Sequence, residues 1–116
     1  MRILQSVLTI LEDNNVTSDT FINFMNHYVA GDLIYPDALH RALPALSMST
    51  IYKILNLCVE QNLLGKFYDV RCVVCNRSIG KAYKAMNWIP EYAYCPHCNA
   101  EIHDPKSYAI IVYQML

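Results

Sequence analysis

Four of the five cysteines are spaced so that they can act together. Cys72, Cys75, Cys95 and Cys98 form the pattern C-x2-C-x19-C-x2-C. Two C-x2-C pairs about 15–20 residues apart are the spacing of a four-thiolate zinc site. Zinc takes a tetrahedron of ligands and binds thiolates well. A C-x2-C turn can aim two sulfurs at one point while its backbone N–H groups bond to them. The second pair, Cys95-Pro96-His97-Cys98, also suits dithiol redox chemistry, which wants a C-x-x-C at a helix N-terminus where the thiol pKa falls. Asn99, Asp104 and Pro105 argue against a helix there, and a redox centre leaves Cys72 and Cys75 unexplained. Two disulfides would use all four residues but need an oxidising compartment. One structural zinc ion held by Cys72, Cys75, Cys95 and Cys98 is therefore the expected cofactor. His97 and His103 are alternative ligands that nothing requires. Cys58 falls on an apolar helix face and reads as a buried structural thiol.

Residues 70–104 resemble a zinc ribbon, with "RCVVCNRSIG" as one knuckle and "AYCPHCNAEI" as the other. Such ribbons are structural: protein ligands fill all four positions, and none is left open for water.

The elements before the ribbon are helical. Leu4, Val7, Leu8 and Leu11 follow helical spacing over residues 2–12. Ser18 is a candidate N-cap for a second helix carrying Phe21, Phe24, Met25, Tyr28 and Val29, ended by Gly31. Pro36 fits the first turn of a third helix over 36–43, with Leu39 and Leu43 inward. Residues 44–47 make a turn. Ser47 or Ser49 caps a fourth helix to about Asn62, with Ile51, Ile54, Leu55 and Cys58 inward and Gly65 as its stop. Residues 66–71 read as a strand, and "SYAIIVYQML" contains a buried strand over 108–115 that returns to pair with the earlier strands. The fold class expected is α+β. A short helix, a tight turn, a long helix and then a strand is the order of a winged helix-turn-helix. That domain would cover residues 1–70, with a zinc-ribbon β module and its packed C-terminal strand over 71–116.

The stretch "SMSTIYKILNLCVEQNLLG" resembles the recognition helix of the ferric-uptake-regulator family through Ser47, Thr50, Ile51, Tyr52, Lys53, Leu55, Leu63 and Gly65. The resemblance covers residues 39–65 and implies double-stranded DNA as partner, with Thr50, Tyr52 and Lys53 touching it. Ser49, at the N-terminal end of the same helix, and the bases Lys66 and Arg71 complete the expected contact set. The histidine-rich sensing segment of that family is absent, so metal sensing does not carry over. A winged helix followed by a zinc ribbon is also similar in architecture to the large subunit of the general transcription factor E group, whose members are accessory modules of larger machines.

Charge is consistent with this and also limits it. Residues 1–40 carry Arg2 against Glu12, Asp13, Asp19, Asp32 and Asp37, a net of −4. Residues 41–84 carry Arg41, Lys53, Lys66, Arg71, Arg77, Lys81 and Lys84 against Glu60 and Asp69, a net of +5. Residues 85–116 return to −2, through Lys106 against Glu91, Glu101 and Asp104. A basic middle is an electrostatic footprint for an acidic partner. The fourth helix itself has only Lys53 against Glu60, which leaves open a protein-docking adaptor, or a homodimer through the apolar first helix. Tyr83 and Trp88 near Lys81 and Lys84 could stack on bases, although such aromatics more often pack on an adjacent domain.

Several classes fall away. No apolar run approaches the roughly 20 residues of a membrane-spanning helix, and the N-terminus lacks a cleavage site of signal-peptide type. A cytoplasmic protein with reduced thiols follows. No phosphate loop, H-E-x-x-H motif or nucleophile with an evident base is present, so a non-enzyme is expected.

Overall fold

The computed structural model describes residues 4–116, and for Lys81 the backbone alone. Arg2 and Ile3, at the start of the first expected helix, lie outside the described residues. The fold is α+β. Among the described residues the order is α1 (Gln5–Asp13), α2 (Ser18–Met25), β1 (Leu33–Ile34), α3 (Pro36–Ala42), α4 (Met48–Glu60), β2 (Leu64–Arg71), β3 (Ser78–Tyr83), β4 (Tyr92–Tyr94), β5 (Glu101–His103) and β6 (Ala109–Met115). Short 3-10 turns at Met86–Trp88 and Pro105–Tyr108 complete it. The chain forms two compact units, one of residues 1–65 and 113–116, the other of residues 66–112.

The first unit is a helical core. α4 packs on α1 and α3, and α2 packs on α1 and α3. Val7 and Leu11 on α1, Phe21 and Met25 on α2, Leu39 on α3 and Ile51, Ile54, Leu55 and Cys58 on α4 are all buried. Spacings of three and four residues bring these side chains to one face of each helix. β1 closes the unit: Leu33 pairs with Gln114 and Ile34 with Tyr113 at the end of β6. The buried Tyr113 donates its hydroxyl to Asn56 Oδ1 at 2.8 Å.

Two helices end through asparagine. Asn15 and Asn62 have φ of 57° and 59°. After α1, the Val16 N–H reaches Leu11 O and the Asn15 N–H reaches Glu12 O. After α4, the Leu63 N–H reaches Cys58 O and the Asn62 N–H reaches Val59 O. Both are the paired 6→1 and 5→2 bonds of a Schellman cap, with asparagine at the left-handed position. Asn62, three residues before Gly65, is therefore the stop of α4.

Gly31 does not end α2, which finishes at Met25. Gly31 has φ of 93°, turns the chain toward β1 and donates to Met115 O at 2.8 Å. Val29 accordingly lies off the helix and is 68% exposed. α2 begins with Thr17 as its N-cap, one residue before Ser18. Ser47 is the N-cap of α4, its hydroxyl accepting the Thr50 N–H.

In the second unit β2 pairs with β3, β6 lies on the other side of β2, and β4 pairs with β5. Burial on β6 centres on Val112 and Tyr113, while Ile110 is exposed, so this strand is half-buried rather than buried. Trp88 stands 62% exposed and is not packed away. Among the described residues no helix is long and apolar enough to cross a membrane.

Ile54→Ala should cost about 2–5 kcal/mol, the range for truncating a large aliphatic in a packed core, read from urea unfolding. Burial pushes the Cys58 thiol up from 9.0 to about 11. A pKa raised by folding gives stability that is full below the unfolded value and lost as pH rises through the folded one. The melting temperature should therefore fall between pH 9 and 11 more steeply for the wild type than for Cys58→Val.

Candidate metal centre

Each C-x2-C pair lies in a turn between strands, the first between β2 and β3 and the second between β4 and β5. The two turns share one hydrogen-bond pattern. Cys72 N–H donates to Arg77 O and Asn76 N–H to Cys72 O, both at 2.9 Å. Cys95 N–H donates to Ala100 O and Asn99 N–H to Cys95 O, again at 2.9 Å. Val74 N–H points at Cys72 Sγ and His97 N–H at Cys95 Sγ, each at 3.4 Å. The residue after the second cysteine is left-handed in both, with φ of 57° at Asn76 and 61° at Asn99. Asparagine tolerates this region better than other side chains. The common signature is thus C-x2-C-N. It stands in the sequence at both sites, but the spacing of the cysteines alone does not draw attention to it.

The four sulfurs converge. All lie within 4.8 Å of one another, and the pairs Cys72–Cys98 and Cys75–Cys95 are 3.6 Å apart. A tetrahedron with metal–sulfur bonds of about 2.3 Å has edges of about 3.8 Å, so the cluster could hold one metal ion. Disulfide sulfurs would be about 2.05 Å apart, and all five cysteines are free. Cys95-Pro96-His97-Cys98 opens no helix, and its turn runs directly into β5. Cys72 and Cys95 are buried, Cys75 is half-buried and Cys98 is exposed. Ile102 is buried against the cluster, with Ile79, Ala93 and Ala100 around it. The imidazoles take no part: His97 is exposed, and His103 Nε2 lies 3.5 Å from Glu101 Oε2.

The environment separates the four thiols electrostatically. Cys72 is held down at about 6, chiefly by the Cys75 backbone N–H, with the Val74 N–H assisting against burial. At Cys95 burial acts upward, but the N–H groups of Cys98 and His97 outweigh it and the thiol is lowered. The Arg77 N–H acts downward on Cys75, yet burial and the sulfurs of Cys95 and Cys72 raise it. Cys98 is pushed up to about 11: the Ala100 N–H lowers it, and burial and three neighbouring sulfurs prevail. One low and one high thiol in each knuckle make a partly ionised ligand set. A metal ion bound there would displace the remaining protons, neutralise charge and cross-link the two turns.

Near this centre Arg71 Nε lies 3.0 Å from Asp69 Oδ2, and the Ser78 hydroxyl donates to Asp69 Oδ1. Asp69 is the one buried charged residue among those described, and Arg71 neutralises it at the entrance to the first knuckle. The other expected DNA contacts are divided between the units. Ser49, Tyr52 and Lys53 lie on the open side of α4, lining a groove of about 440 Å³ with Asn56, Leu57 and Glu60. Thr50 is half-buried, its hydroxyl 2.9 Å from that of Ser47. Lys66 is on β2 in the second unit.

No family model matches the chain, and neither does any curated protein or solved structure.

With an ion bound in the cluster, a strong chelator should abolish hydrogen-exchange protection across residues 66–112 while far-UV helicity persists. Structural zinc contributes on the order of 10–16 kcal/mol of apparent binding free energy in small metal-folded modules. Cys95→Ser should lose bound metal and melt at a clearly lower temperature. A metal-free variant of unchanged melting temperature would exclude a structural centre.

Proposed function

We propose that the protein is a zinc-stabilised DNA-binding protein, a small transcriptional regulator or accessory factor without catalytic activity. Zinc is the metal assigned to the centre because four thiolates in a closed tetrahedral site are its preferred donor set. Residues 1–70 are read as a winged helix-turn-helix and residues 71–116 as a zinc ribbon.

The observation that carries the DNA reading is the open face of α4. Ser49, Tyr52 and Lys53 stand together there, at the N-terminal half of a helix whose first turn is fixed by the Ser47 cap. α3 packs on α4 across a short turn, and β2 follows directly. In a helix-turn-helix the N-terminal residues of the second helix reach base edges in the major groove. Arg41, on α3 of the same unit, would supply a phosphate contact, and contacts of that kind carry most of the affinity. Arg71 would contribute less, because Asp69 already neutralises it.

A second reading, a non-catalytic adaptor that docks protein, is favoured by Val73 and Val74. They are 56% and 71% exposed at the tip of the first knuckle, where a partner surface could cover them.

Titrating the zinc-loaded protein into labelled random-sequence duplex should give binding that weakens with salt, with a log–log slope of about −0.9 per phosphate contact. Lys53→Glu should weaken it roughly tenfold or more with melting temperature unchanged, because it turns an attraction into a repulsion. Absence of binding at low salt would leave the adaptor reading in place of this one.

A further inference from the structure

The β4–β5 ribbon has two unlike faces. Ala93 pairs with Ile102, Tyr92 with His103 and Tyr94 with Glu101. Side chains alternate along a strand, so Ala93 and Ile102 turn to the sulfur cluster and the other four turn away. Tyr92 and Tyr94 are 39% and 60% exposed, and the side chains of His103 and Glu101 are 75% and 55% exposed.

These exposed rings contact one another. Tyr92 stands edge-on to Tyr94 and to His103, with centroids 5.1 Å apart in each case. The Tyr92 hydroxyl donates to the Tyr94 hydroxyl at 3.2 Å. A partner meeting this face would find two aromatic rings and an imidazole side by side.

Charge selects the partner. Residues 89–105 carry Glu91, Glu101 and Asp104 and no lysine or arginine. The Asp104 N–H donates to Glu91 O at 3.3 Å, which brings two of the acids to the same end of the ribbon. Four thiolates with one divalent ion beneath would add a further −2. A phosphate backbone would be repelled here. A guanidinium suits the face on three counts: it stacks on aromatic rings, pairs with carboxylates, and presents a plane where lysine presents a point charge.

We propose that the outer face of β4–β5 docks an arginine-bearing segment of a partner protein. The face shares no residue with α4, and the inference stands whatever α4 binds.

The test uses the zinc-loaded full chain, labelled with nitrogen-15, titrated with blocked tetra-arginine, tetra-lysine or a twelve-residue oligothymidine. Tetra-arginine should shift amides within residues 91–94 and 101–104, and should bind more tightly than tetra-lysine. Tyr94→Ala, at an exposed position of the hairpin, should weaken tetra-arginine about two- to fivefold, the worth of one exposed cation–π contact. Equal affinity in Tyr94→Ala would reduce the effect to diffuse charge and overturn the proposal. So would an absence of shifts on this face at millimolar peptide. Shifts here with oligothymidine would make the occupant a nucleic acid. Shifts that grow with protein concentration alone would make it a second copy of the chain. Either would also overturn the proposal.

Discussion

Four sulfur atoms within 4.8 Å of one another are the constraint around which the second unit is arranged. Like charges so close cannot all be ionised without a cation among them. The unit has little else at this place: the buried cluster there is Cys72, Cys95 and Ile102. Val70, Ile89 and Val112 are also buried in this unit, but an apolar core this small is often supplemented by a metal or a disulfide. The ligands are therefore also the packing. β3 and β5 begin where the knuckles release them, and the orientation of the β4–β5 faces is set from the sulfur side. Asp69 and Arg71, paired at the base of the first knuckle, belong to the same arrangement.

The first unit rests on different physics. Its stability comes from apolar faces on four short helices, with α4 packed chiefly on α1 and α3. α4 is also the helix that keeps a polar side open, and the two roles lie on opposite faces. Ile51, Ile54, Leu55 and Cys58 are buried, while Ser49, Tyr52, Lys53 and Glu60 line the groove. Asn56 lies at the boundary, accepting from the buried Tyr113 hydroxyl. Substitutions on the outer face should therefore have little effect on folding.

What was legible in the sequence was what is local. Two C-x2-C turns state their chemistry within four residues each, and the helical faces repeat within a few turns. The inward residues of α4 were all readable from their spacing. The pairing of Leu33 with Gln114 was not, because a two-residue strand has no period and its partner lies at the far end of the chain. The end of α2 lies at Met25, well before the glycine the pattern points to, and the end of α4 falls where its spacing puts it but through a residue other than Gly65. In this chain asparagine does that work at Asn62, and Gly31 serves a turn instead. Trp88 was expected to pack, yet it stands exposed. A lone aromatic in a loop carries no periodic sign of which side it faces. For the sites, the residue types marked the centre, but not the second pattern around it, the left-handed Asn76 and Asn99.

That preference for asparagine has a consequence in the denatured chain. Apart from glycine, the left-handed positions among the described residues are Asn15, Asn62, Asn76, Asn99 and Asp104, in a protein with only three glycines. Glycine would adopt these angles without steric cost, but it roams more widely when unfolded and loses more entropy on folding. Asparagine and aspartate accept some local strain and enter the folding reaction with fewer conformations to give up. For knuckles that close as an ion binds, this lowers the entropy cost of closing the ring. Turns already biased toward their bent form meet an incoming ion as part-formed chelates rather than as free chain.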